Sequence, residues 1–259
     1  MYYQGLHDVA GVLLLGGGPA LAPLLLRHVL TTGGLPYATP CGGGIPLALD
    51  GLDLVMAVLR AGDPALAAHV QAGGNAPHWG LSWLLTWFAH DVPDGAVSVR
   101  LFDGFLGAHP ALPLYVAACL LAEARATVLA ADPEDAGSFH NLLKTLPARV
   151  LRTPEDAGRL LIAAAAALSA RPPATLLAPP MPPLTAGRLQ SSWPAVLRQP
   201  ACGELPEGGQ SPLHLVALGE ASPFPARQRA LMAALLFGGI GVLVQWVLPA
   251  VLARGGPGG

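Results

Sequence analysis

Apolar residues in this chain fall in helical rather than strand-like patterns. Trp79, Trp83, Leu84, Trp87 and Phe88 recur at spacings of four, one, three and one, which places them on one helical stripe that Leu81 and Leu85 broaden. Leu101, Phe102, Phe105 and Leu106 repeat that geometry after the turn signal DVPDG, and Leu112 to Ala131 supplies an Ala-rich third helix. Pro93, Pro110, Pro133 and Pro147 fall between these runs, where helix boundaries belong. Leu160 to Ala170 forms a last short helix led in by TPEDAGR, with Thr153 as N-cap and Pro154 at the first helical position. Strand alternation is hard to find, so the fold class expected is all-α.

Two stretches are apolar on every face. Val9 to Leu26 carries no charge, but Gly16, Gly17, Gly18, Pro19 and Pro23 interrupt it, which favours two buried helical pieces joined by a turn. Ala230 to Ala253 is different. It runs for about 24 residues without a charge and with Gln245 as its one polar side chain, enough helix to cross a hydrocarbon core of about 30 Å. Its glycines and Pro249 are tolerated inside bilayers. It reads as a single transmembrane helix, and Arg227 and Arg229 before it, against Arg254 alone after it, favour an N-terminal body in the cytosol. The opening MYYQGLHD has neither the basic region nor the apolar core of a signal peptide. From Arg171 onward the composition turns to Pro, Ser, Gly and Gln. The division expected is therefore a helical domain over 1–170, a linker over 171–226 and an anchor over 230–253.

Composition agrees with membrane or partner contact. The chain has 259 residues, 53% of them hydrophobic and 12% charged, about half the charged share of an ordinary soluble domain. Fourteen Lys and Arg against sixteen Asp and Glu give a net charge of -2, without the positive field that a phosphate backbone requires, so nucleic acid is not an expected partner. Cys41, Cys119 and Cys202 are odd in number and far apart, which points away from a disulfide framework and from zinc. Eight scattered histidines form no HExxH, and no metal site is expected. The triple glycine lacks a following Lys-Ser or Lys-Thr, and GLSWL around Ser82 lacks the second glycine of a hydrolase elbow. Asp132, Glu134 and Asp135 read as a solvated acidic turn.

The motifs that remain carry a resemblance. Tyr2-Tyr3-Gln4-Gly5-Leu6-His7-Asp8 resembles the YxQGxxD motif of TBC domains, helical activators of Rab GTPases, and the block from GLSWLLTWF to RLFDGFL resembles their later Trp-rich segment and its R-L-[WFY]-D. Trp83, Trp87, Arg100, Leu101, Phe102 and Asp103 carry that block. With the anchor added, the chain is similar to the family's tail-anchored member of the endoplasmic reticulum. The resemblance implies a Rab partner of the early secretory pathway, with GTP and Mg held by that partner and no cofactor in this chain. It also implies that Gln4 is a catalytic glutamine finger, that Tyr2 and Gly5 shape its loop, and that Asp8 fixes the loop or touches the GTPase. The family's arginine finger lies in an I-x-x-D-x-x-R motif upstream of YxQG, which this chain does not contain, so the expectation is the C-terminal portion of a TBC domain, truncated at its N-terminus. Asp156 to Arg159 spells the only D-x-x-R, and an ion pair at i, i+3 explains it. Two alternatives stay open: a pseudo-activator that binds a Rab without speeding hydrolysis, and a polytopic membrane protein in which Val9 to Leu26 also inserts.

Overall fold

The computed structural model describes residues 3–31, 35, 45–74 and 77–177, and in these every regular element is helical. Tyr2, most of the linker expected over 171–226 and the whole of 230–253 lie outside the described residues. The elements are α1 (Leu6–Thr31), α2 (Ile45–Gly62), α3 (Pro64–Ala72), α4 (Leu81–Leu85), α5 (Gly95–Leu106), α6 (Leu112–Glu123), α7 (Arg125–Leu129), α8 (Ala136–Lys144), α9 (Leu146–Val150) and α10 (Pro154–Ala170). Short 3-10 turns cover His78–Gly80 and Pro173–Leu177.

Two helices form the centre. On α6, a run from Leu112 to Ala118 is buried on every side, because α2 packs on it from one direction and α10 from another. α5 lies between α1 and α10. Its Val97, Leu101, Phe102 and Phe105 are buried at the spacing expected of a core-facing stripe. Gly104 sets how closely α5 meets α10, since a Cβ at that position would lie 2.5 Å from Leu161 Cδ2.

Local signals fix the helix ends. Asp63, Asp94, Asp135 and Thr153 each accept a hydrogen bond from a backbone N–H in the first turn of the helix that follows. At α10 the bond is reciprocal, with Thr153 capping Asp156 N–H and the Asp156 carboxylate accepting from Thr153 N–H, a complete capping box. Arg159 is then held by Asp156 at 2.9 Å and by Glu123 of α6 at 3.1 Å. The D-x-x-R is thus a helix-surface ion pair.

Three expectations need correction. The Trp-rich stripe does not lie on one helix, because α4 ends at Leu85 and the chain reverses through Trp87 and Phe88 at φ of 51° and 69°. Leu112 to Ala131 is two helices, broken at Ala124, whose ψ of 11° departs from the helical value. The run Val9 to Leu26 does break within its glycines, at Gly18 with φ 67° and ψ 175°, but each piece is buried on one side only, through Val9, Val12 and Leu13 in the first and Ala22 and Leu25 in the second. Val9 and Leu13 face the core, whereas Leu14 and Leu15 on the outer side are 50% and 65% exposed. By length and apolar composition Leu6–Leu30 is able to cross a membrane, with a mean hydropathy of 2.0 in its most apolar window.

Candidate functional site

Helix α4 has to end within five residues, and its last turn uses a Schellman arrangement. Phe88 N–H donates to Trp83 C=O at 2.8 Å and Trp87 N–H to Leu84 C=O at 3.4 Å, closing the 6→1 and 5→2 pair of that motif. The C′ position is normally glycine because a Cβ is strained there. Here it is Trp87, at a cost of about 1–2 kcal/mol for a residue in the left-handed region.

Aromatic packing offsets that strain. The Trp87 ring meets Phe102 and Phe105 edge-on, each at 5.3 Å between centroids, and Phe88 stacks on Trp83 at 5.8 Å. Such pairs add about 0.5–1.5 kcal/mol each beyond the area they bury. Trp83 and Trp87 of the sequence block are therefore core residues that hold this turn. Trp83 also donates its indole N–H toward Lys144 C=O at 3.4 Å. Arg100 is exposed, with its guanidinium over Gly158 of α10, and Asp103 is half-buried. Neither reaches the groove described below.

The N-terminal motif docks on the reversed turn. Tyr3 donates its hydroxyl to Leu85 C=O at 2.7 Å. Burial, with Asp8 adding to it, raises the Tyr3 pKa well above the usual tyrosine value, so the hydroxyl remains a donor throughout the physiological range. Gly5 has φ of 108°, and a Cβ there would come within 2.9 Å of Thr86 Cγ2. Both facts require glycine. Leu6 N–H and Asp8 N–H return to Tyr3 and Gly5 carbonyls at 3.2 and 3.1 Å, which closes the loop and starts α1. Gln4 sits at the apex of this turn and is exposed. Asp8, in the first turn of α1, is flanked by His7 at 3.3 Å and His90 at 3.4 Å.

The loop forms one wall of an open groove of about 530 Å³. Leu81, Ser82 and Leu85 of the Trp-bearing segment form another wall, and His140 and Lys144 of α8 close the far side. Tyr3, Gln4, Gly5 and Asp8 all line it, so the structure brings together the N-terminal motif residues that it describes. Below Ser82 lies Asp91, whose Oδ1 accepts the serine hydroxyl at 3.0 Å while its buried Oδ2 has no hydrogen-bond partner. Desolvation raises the Asp91 pKa, against the lowering effects of the Ser82 bond and of nearby His90 and Lys144. Sequence reasoning missed Tyr3, Thr86 and Asp91. The first stands at a variable position of the motif, and nothing in the spacing of the others announces their roles. Among the described residues no group of His, Cys, Asp and Glu is arranged to hold a metal.

With the all-helical body and its groove described, the chain can be set beside known proteins. Residues 1–129 match the Rab-GTPase-TBC domain family, and this part of the chain is a TBC (Rab-GAP) domain. Among curated relatives, the chain is 36% identical over 151 residues to GTPase-activating protein gyp10 of Schizosaccharomyces pombe, covering 58% of this chain and 40% of that protein. It is 34% identical over 146 residues to TBC1 domain family member 20 of Homo sapiens, covering 56% of this chain and 35% of that protein. The chain thus spans well under half the length of the relatives it matches.

Proposed function

We propose that this chain engages a GTP-loaded Rab GTPase of the early secretory pathway through the groove beside Gln4 and accelerates its GTP hydrolysis. The body works on the cytosolic face of the endoplasmic reticulum, held there by Ala230 to Ala253 as a tail anchor. One observation supports the reading above others: Gln4 is solvent-exposed at the apex of a loop fixed on both flanks, on the rim of a concave surface shared with the Trp-bearing segment.

The chemistry is that of a glutamine finger. A Rab alone hydrolyses GTP slowly because the attacking water is poorly oriented and the charge developing on the phosphoryl oxygens is incompletely neutralised. The Gln4 carboxamide is able to accept a hydrogen bond from the water and donate one to a phosphate oxygen at the same time. Tyr2 and Asp8 contact the GTPase beside it, with Asp8 already oriented by His7 and His90. GTP and Mg come with the partner.

A second reading has its own support. No arginine lines the groove among the described residues, and Arg159 of the sole D-x-x-R is committed to Asp156 and Glu123. An arginine finger contributes about 10³–10⁵ in turnover, or about 4–7 kcal/mol. Without one, the chain acts as a Rab-binding pseudo-activator. Single-turnover GTP hydrolysis with a panel of Rabs separates the two. Acceleration that Gln4→Ala abolishes supports the activator, whereas binding with an unchanged hydrolysis rate supports the pseudo-activator.

A further inference from the structure

Gln4 is exposed, and among the described residues no side-chain hydrogen bond holds it. Its position therefore depends on the residues on either side. Gly5 supplies shape, but a glycine supplies no tether. Beside Gln4, the Tyr3 hydroxyl on Leu85 C=O joins this loop to the Trp-bearing segment, and Asp8 with His90 at 3.4 Å joins it four residues further on.

The acceptor is available because of how α4 ends. Ser82, Trp83 and Leu84 carbonyls receive the N–H groups of Thr86, Phe88 and Trp87, while the Leu85 carbonyl receives the Tyr3 hydroxyl. The turn that creates this geometry is itself fixed by two large aromatic residues in the left-handed region, packed into the core on Phe102 and Phe105. A rigid platform thus begins in α5, passes through Trp87 to Leu85, and ends at the residue next to Gln4.

We infer that Tyr3 is a positioning residue for Gln4: its hydroxyl, bound to the last carbonyl of α4, holds the finger loop in the conformation that reaches a partner's nucleotide. This inference rests on the activator reading above and adds to it that the loop is preorganised by a particular bond. Preorganisation acts on the transition state more than on association, so the expected signature is a loss in the rate at saturation with little change in affinity.

The test uses the full chain with Tyr3→Phe, Gln4→Ala and wild type side by side. Single-turnover GTP hydrolysis is measured at saturating activator with the Rab it accelerates most, together with binding to that Rab loaded with a non-hydrolysable GTP analogue. Removal of one hydrogen bond from an otherwise intact site is expected to lower the saturated rate about fivefold to tenfold while the Kd stays within twofold. Hydrogen exchange at the Leu6 and Asp8 amides, which close the loop, should rise in Tyr3→Phe, with that of α6 unchanged. A purely structural tyrosine would instead raise Kd and speed hydrogen exchange in the core while lowering the rate. If Tyr3→Phe keeps the wild-type rate while Gln4→Ala is inactive, the positioning role is overturned and the activator reading stands. If the wild-type chain accelerates hydrolysis by no Rab, the activator reading falls, and the positioning role falls with it.

Discussion

The contact between Gly5 and Thr86 gives a quantitative test of how the finger loop is seated. Gly5→Ala places a methyl group 2.9 Å from Thr86 Cγ2 and imposes a Cβ on a residue with φ of 108°. The backbone component costs about 1–2 kcal/mol, the usual penalty for a Cβ at positive φ. The steric component adds about 1–3 kcal/mol, typical of overpacking by one methyl where the neighbour is unable to yield. Thr86 is such a neighbour. Its hydroxyl donates to Ser82 C=O at 2.8 Å and accepts from His90 N–H at 3.1 Å, which fixes the rotamer and leaves Cγ2 where it stands. The loop should therefore undock locally, with faster exchange at the amides of Leu6 and Asp8. Thr86→Ser deletes only Cγ2 and keeps the hydroxyl, so in the double variant the steric part disappears and the backbone part remains. Urea unfolding of the four proteins should give a favourable coupling of about 1 kcal/mol or more between the two sites. Strictly additive losses would refute the claim that the loop rests on the threonine methyl.

Two further outcomes are expected. Trp87→Ala removes the ring that meets Phe102 and Phe105 and should destabilise the fold by about 3–5 kcal/mol despite some relief at φ, read as a large fall in the urea midpoint. Asp91, whose pKa is raised by desolvation, binds its proton more tightly folded than unfolded. Its contribution is fully present below the unfolded carboxyl pKa and is lost as pH rises through the folded one. Asp91→Asn should remove that decline, so the stability difference between variant and wild type should move in the variant's favour as pH is raised from about 4, the ordinary carboxyl range. A difference that does not change with pH would contradict it.

The helical class and the cap at Thr153 were legible in the chain because each rests on local chemistry. A hydroxyl followed by proline and two acids states a helix start, and apolar spacing near 3.6 states a buried stripe. The end of α4 was not legible. Trp87 and Phe88 continue the helical period perfectly well, and only tertiary packing on Phe102 and Phe105 makes a left-handed reversal favourable there. The partial exposure of α1 was hidden for a similar reason. Uniform apolarity predicts burial on all sides, yet the described body supplies neighbours for the Val9 and Leu13 side and leaves Leu14 and Leu15 at the surface. At the site, the resemblance to the TBC motif pointed to Gln4, Gly5 and Asp8, but Tyr3 and Thr86 take their places through contacts between segments more than eighty residues apart in sequence, beyond the reach of any periodicity.

Gly104 gives the finger loop a distant dependency. The platform under Tyr3 is borne by the aromatic side of α5, and on the opposite side of that helix Gly104 leaves room for the Leu161 side chain of α10. A larger group there must first displace the Leu161 side chain, and pushes α5 away from α10 only as far as that side chain fails to yield. The seat of the finger loop is thereby coupled, through a single helix, to the packing on that helix's far side.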